Sequence, residues 1–285
     1  MRALLDEYRR SLKLPEAEEF FDLWFYRPTA YVFVKAVYRS PITPNQVTML
    51  SLAAGIAAAW CFAAGGGATL AWGAFWYAAA NILDCADGQL ARLQQSGTAL
   101  GRLVDGIADY VASAAILLGI GVGLSAAGIP AWLAVIGCGL STALHAMFFD
   151  HYQGEFLSAV RAERGFNDRE SRRIAGELER PGSSARKAVL RLYLRYLQVQ
   201  HRAGIGTSRG PVDPTAYRAA NGRMIRLWSL LGPTTNRTLL IVCALAGRLD
   251  TYLWVVMLVG NAWLAFCYLM QRMIHVSASG AGEGG

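Results

Sequence analysis

Apolar residues in this chain gather into blocks separated by short polar or glycine-rich breaks. A helix crossing a bilayer needs about 20 mostly apolar residues. Six segments are candidate spans, at 47–64, 68–88, 99–125, 131–150, 228–247 and 251–271. The run Gly65-Gly66-Gly67 makes a tight link between the first two, and Gly128 with Pro130 marks a turn between the third and fourth. The fifth is the weakest, because Arg237 interrupts it and its apolar run LLIVCALAG is short for a full crossing. The pattern predicts an all-α integral membrane protein with six transmembrane helices.

Ahead of the first span, residues 15–40 mix aromatic and charged positions, with Phe20, Phe21, Trp24 and Phe25 at helical spacing and Pro28 set to break or kink the stretch. This reads as an amphipathic helix lying in the membrane interface, its aromatic face in lipid, or as a helix packed on the spanning bundle; the two are compatible. We therefore divide the chain into an N-terminal interfacial segment, 1–40, and a membrane domain, 41–285, that contains a helical insertion at about 151–226. The GAGEGG tail has a composition expected to be disordered.

Charge sharpens this picture. Only 16% of residues are charged against 54% hydrophobic, whereas soluble domains carry about 25% charged residues. The net charge is +7, and residues 151–226 hold 15 of the 27 basic residues against seven acidic ones. A basic segment suits nucleic acid, anionic lipid or a phosphorylated ligand; in a membrane protein the last two take precedence, so membrane lipid is the expected partner and nucleic acid is not. Arg39, Arg92, Arg102, the Arg-rich insertion and Arg272 all flank the same side of the predicted spans, and the alternate loops carry only Arg248. Both termini and the insertion are therefore expected on the cytoplasmic side, in a bacterial inner membrane. The N-terminus lacks the basic-then-apolar order of a cleaved signal. Cysteines 61, 85, 138, 243 and 267 lie in apolar stretches without metal or redox spacing, and read as packing residues.

The chemistry is concentrated between Asn81 and Tyr110. Asp84 and Asp87 are spaced i, i+3, and Asp105 and Asp109 i, i+4, so each pair shares a helix face, and the intervening LQQSGT can turn the chain. Ionisable groups in membrane segments are costly and functional by default. Four clustered carboxylates call for divalent cations, and an all-oxygen ligand set suits magnesium or manganese. Gly88 and Ala91 beside the first pair, and Gly101 before the second, leave room for a bulky substrate, and Arg92 offers a countercharge to phosphate. Thr43 or Asn45 is a plausible helix cap at the start of the first span. His145, Asp150 and His151 lack a complete set of metal ligands, and capping or interfacial packing accounts for them.

The segment reads Asp84-x-x-Asp87-Gly88-x-x-Ala91-Arg92, eight residues, then Gly101-x-x-x-Asp105-x-x-x-Asp109. It resembles, at every position, the signature of the CDP-alcohol phosphotransferase family, and SPITPNQVT at 40–48 is similar to that family's lead-in to its first membrane helix. The resemblance implies that Asp84, Asp87 and Asp105 hold two divalent ions (Mg2+ or Mn2+), with Asp109 shared between metal binding and general-base catalysis. It implies a CDP site lined by Thr43, Pro44, Asn45, Gln46, Gly88, Ala91, Arg92 and Thr98, with Gly101 as the structural glycine of the signature. The reaction implied is transfer of a phosphoalcohol to an acceptor hydroxyl with release of CMP, in phospholipid biosynthesis.

A CDP-diacylglycerol donor with a small polar acceptor (inositol phosphate, glycerol phosphate or serine) is the expected pairing, and the protein is expected to be a homodimer. The alternative is transfer of a CDP-linked polar head group to a lipid or soluble alcohol. Arg161, Arg164 and Arg237 are candidates to bind an acceptor phosphate. A cation transporter would also place carboxylates in broken membrane helices, but it leaves Gly88, Ala91, Arg92 and Gly101 unexplained.

Overall fold

The computed structural model describes residues 2–12, 18–160 and 214–280, together with scattered helical positions between 172 and 195. Arg161, Arg164, most of the basic insertion and the end of the glycine-rich tail lie outside the described residues. Among the described residues the regular elements are helical and no strand occurs. Two compact units are formed, one by Met1–Phe149 with Arg226–Gly285, the other by Asp150–Ile225.

In the first unit, helix α1 (Arg2–Ser11) is followed by a π-turn at Asp22–Tyr26 that runs directly into α2 (Arg27–Val37). Pro28 sits in the first turn of α2 without ending the helix. The wider turn before it, in which Arg27 N–H donates to Asp22 O, relieves the clash that a proline ring makes with the carbonyl four residues back. Phe20, Trp24 and Phe25 are exposed on this segment. Tyr26, Ala30 and Val34 are buried against Cys85, Ala86 and Leu90.

Helix α3 (Pro44–Ala64) starts at a capping box. Thr43 Oγ1 accepts from Gln46 N–H, and Gln46 Oε1 accepts from Thr43 N–H. Thr43, rather than Asn45, is therefore the cap. Gly65 and Gly66 have φ of 67° and 84°, values that glycine adopts at no steric cost, and they turn the chain into α4 (Gly67–Leu93). Thr98 caps α5 (Ala99–Ala126) by accepting from Gly101 N–H. Helices α3 and α5 approach closely because the facing residues are small. A Cβ at Gly119 or Gly123 would run into the carbonyl oxygen of Ala59 or Phe62, and one at Gly55 into Ala112.

Gly128, with φ of 80°, leads to α6 (Trp132–Val160). The later helices are α7 (Pro214–Trp228), α8 (Pro233–Leu245), α9 (Leu249–Trp254) and, after a π-turn at Val255–Gly260, α10 (Asn261–Gly280). His145 on α6 is buried and hydrogen-bonded through Nε2 to Asn261 Oδ1 at 3.0 Å, while Asn261 Nδ2 donates to Ser141 Oγ. This histidine belongs to a polar contact between helices. In the second unit, the Phe156 and Tyr217 rings pack together, and Ile174 and Leu190 are buried.

Among the described residues, four helical stretches are long and apolar enough to cross a membrane: Pro44–Ala64, Gly101–Ala126, Trp132–Val160 and Leu249–Ile274. They match four of the six expected spans. The other two segments are helical but fall short of that description. The 27-residue α4 carries Asn81, Asp84, Asp87, Gln89 and Arg92 in its second half. The 13-residue α8 is ~20 Å long, less than the ~30 Å apolar core of a bilayer. Trp60, Trp72, Leu133, Leu140, Leu258 and Leu269 are exposed, the arrangement expected where the solvent is lipid. The protein is a multi-pass integral membrane protein.

Candidate active site

The second half of α4 and the first half of α5 bring the signature acids together. Asp84, Asp87 and Asp105 each offer an oxygen lying within 4.8 Å of the others. Asp109, one turn further along α5, stands outside this trio. Three converging carboxylates are a donor set that fits a hard divalent cation. The five cysteines are free, and four of them are buried, in keeping with a packing role.

Two residues tie the acids to neighbouring helices. Thr48 on α3 donates through Oγ1 to Asp87 Oδ2 at 2.6 Å, and both residues are buried. Arg237 on α8 reaches two other acids of the cluster. Its Nη1 donates to Asp84 Oδ2 at 2.8 Å and to Asn81 Oδ1 at 2.8 Å, and its Nη2 donates to Asp109 Oδ1 at 2.7 Å. Arg237 interrupts the apolar pattern of its segment because it serves this cluster. Named from sequence as a contact for an acceptor phosphate, it is here engaged by two of the four aspartates.

Beside the trio lies a cavity of about 310 Å3, bordered by Asp87 and Asp105 on one side. Thr43, Pro44 and Asn45 at the start of α3, and Thr98 and Gly101 at the start of α5, also line it, as do Gly88 and Ala91. The N-terminal ends of two helices thus border the cavity, and helix N-termini favour anions. Gly101 permits their approach: a Cβ there would lie 3.1 Å from Thr98 Oγ1 and 3.3 Å from Asn45 Oδ1.

Two residues expected to line the CDP site do not border this cavity. Gln46 uses its side chain in the capping box. Arg92 lies one turn beyond Gly88, and its guanidinium packs over that glycine: a Cβ there would lie 3.4 Å from Arg92 Nη1. Its Nε donates to the carbonyl of Ser11, at the end of α1, and its Nη2 is buried without a hydrogen-bond partner among the described residues. The arginine that does line the cavity is Arg102, which sequence reasoning treated only as a topological charge. Its position directly after Gly101 in the signature was the available signal. Thr48 likewise lay within reach, as a hydroxyl one turn into the helix that Thr43 caps.

A second polar group borders this region. Glu19 and Asp22 are buried in the N-terminal segment, and Arg27 pairs with Glu18 at 3.0 Å with both side chains largely enclosed. Burial, reinforced by the charge of Asp22, pushes Glu19 up to about 8. Burial also raises Asp22, against the opposing pull of Arg27.

Fold and site together define a multi-pass helical membrane protein with a carboxylate cluster where two of its helices meet. Residues 41–162 match the family model of the CDP-alcohol phosphatidyltransferases. This is a transferase family that moves a phosphoalcohol from a CDP-alcohol and uses divalent metal. No curated protein matches the chain.

Proposed function

We propose that the protein transfers a phosphatidyl group from CDP-diacylglycerol to the hydroxyl of a small polar acceptor, releasing CMP, at the cytoplasmic face of the membrane. The observation that carries the reading is the convergence of Asp84, Asp87 and Asp105 beside a cavity bordered by two helix N-termini. A nucleotide diphosphate needs both features: cation-holding carboxylates on one side and anion-favouring groups on the other.

Asp84, Asp87 and Asp105 would hold two divalent ions, Mg2+ or Mn2+, with Asp109 contributing to one. When bound, such ions neutralise charge on the diphosphate and on the departing CMP. Asp109 is the general base. Its side chain is 42% exposed against 23% for Asp84, so it is the more open of the two to an incoming hydroxyl. The acceptor oxygen bonds to the phosphorus that carries the lipid alcohol, the bond from that phosphorus to the CMP oxygen breaks, and the hydroxyl proton passes to Asp109. Thr43, Pro44, Asn45, Gly88, Ala91 and Thr98 surround the nucleotide. Arg102, which lines the cavity, meets the phosphates.

The exposed Phe20, Trp24 and Phe25 support an interfacial placement of the N-terminal segment. Six crossings, with α4 and α8 completing a bundle whose polar ends meet at the site, and a homodimeric assembly complete the proposal. The experiment is release of CMP by the purified protein in micelles with Mg2+ or Mn2+. CDP-diacylglycerol and CDP-linked head groups are each tested against a panel of acceptors that includes inositol phosphate, glycerol phosphate and serine. CMP release from CDP-diacylglycerol, abolished by chelator, is expected. Release only from a CDP-linked head group would move the protein to the other branch of the family, and no CMP from any pair would revive the transporter reading.

A further inference from the structure

Helix α8 carries Arg237 one turn after its start, and that start has no cap of its own. The first amides of a helix lack intrahelical partners. Here the partner comes from far away in sequence. Glu19 Oε1 accepts from Thr234 N–H at 3.1 Å, and Oε2 accepts from Thr235 N–H at 2.8 Å and from Thr235 Oγ1 at 3.1 Å. The fit is close: a Cβ on Gly232 would fall on the Glu19 carboxylate. Gly232 has φ −66° and ψ 159°, open to any residue, so the absence of a side chain there serves Glu19 rather than the backbone.

The same N-terminal segment touches α8 again beyond Arg237, where the Tyr26 hydroxyl lies 3.2 Å from Thr238 Oγ1. The two contacts bracket Arg237 along the helix. One anchor limits sliding, and the pair limits rotation, which at 3.6 residues per turn amounts to about 100° for each residue of slippage. The segment is in turn referenced to α4, since Cys85 Sγ donates to Asp22 Oδ1 at 3.6 Å and Cys85 adjoins Asp84.

We propose that the 18–26 segment is a register clamp: Glu19 caps α8 in trans and thereby holds the Arg237 guanidinium on Asp84 and Asp109. Glu19 is a positioning residue. The effect on turnover rests on the phosphotransferase reading above, whereas the effect on Arg237 does not. A neutral or ionised Glu19 can accept these hydrogen bonds. A glutamine keeps one accepting oxygen and loses the other.

The test is a double-mutant cycle on the full chain in detergent micelles, with Glu19→Gln, Arg237→Gln and the double variant. Thermal unfolding and CMP release are both read. Gly232→Ala, which displaces the same carboxylate, carries the cycle if Glu19→Gln does not fold. We expect each single variant to lower Tm and the double to lose less than the sum, because the ion pairs are made only with the clamp in place. In turnover, Glu19→Gln should cost roughly tenfold to hundredfold in kcat with donor KM nearly unchanged, the scale set by a small misplacement. It should cost nothing further in the Arg237→Gln background. Additive Tm losses overturn the proposal whatever the activity. Coupled Tm losses in a protein that releases no CMP leave the clamp standing and overturn the phosphotransferase reading instead.

Discussion

Thr48 Oγ1 donates to Asp87 Oδ2 at 2.6 Å, joining the helix that begins at the capping box to the most enclosed of the four signature aspartates. A buried hydrogen bond to an ionised group is worth about 1.5–3 kcal/mol, and groups that orient metal ligands change affinity by about 10–100-fold when removed. Thr48→Ala is therefore expected to weaken Mn2+ binding by about tenfold or more, measured by titration with the metal alone, while Thr48→Ser retains most of it. Equal binding in all three proteins would remove Thr48 from the site.

Asp109→Asn tests the base. It preserves shape and the contact with Arg237 in part, but it cannot take a proton. Turnover should fall by about 10²–10⁴-fold, with binding of the CDP donor still detectable by direct titration. Full activity in this variant would sink the assignment.

Arg102→Ala and Arg92→Ala separate the two arginines. Arg102 lines the cavity, so its loss should raise the donor KM by about tenfold, consistent with one charge-assisted contact to phosphate. Arg92 donates to Ser11, so its loss should lower Tm and leave donor KM within about twofold. The reverse pattern in KM would restore the expectation made from the signature.

Glu19 sets a pH dependence. Burial first, then the charge of Asp22, pushes it up to about 8, above the ordinary range for a carboxyl. The folded protein therefore holds this proton more tightly than the unfolded chain does. The stabilisation is fully present below pH of about 4.5, the unfolded value, and is lost as pH rises through about 8. Asp22, raised by the same burial, acts in the same direction. Tm should decline between about pH 4.5 and 8, and Glu19→Gln should flatten that decline. An unchanged slope in the variant would assign the titration elsewhere.

Much of this protein is written locally. The Thr43 cap, the Gly65–Gly66 link and the acid spacings within α4 and α5 depend on residues a few positions apart, where helical geometry alone decides which side chains meet. So does the signature, whose members sit on two consecutive helices. That is why the acid cluster and the cavity residues at the starts of α3 and α5 were legible.

The contacts that organise the cluster are of another kind. Thr48 and Asp87 are 39 residues apart, Arg237 and Asp84 153, and Glu19 and Thr235 216. No periodicity reports such pairs, because they depend on how helices are rotated and packed against one another. Arg92 shows the limit most clearly: the signature named it, and the contact its Nε makes comes from Ser11 in a distant segment. The sequence by itself determined the acids, the helix starts and a membrane setting, since these follow from composition and local spacing. Which cations and hydroxyls reach the acids, and the trans cap that registers α8, were decided only in the tertiary structure, because packing alone brings side chains from distant segments within hydrogen-bonding range.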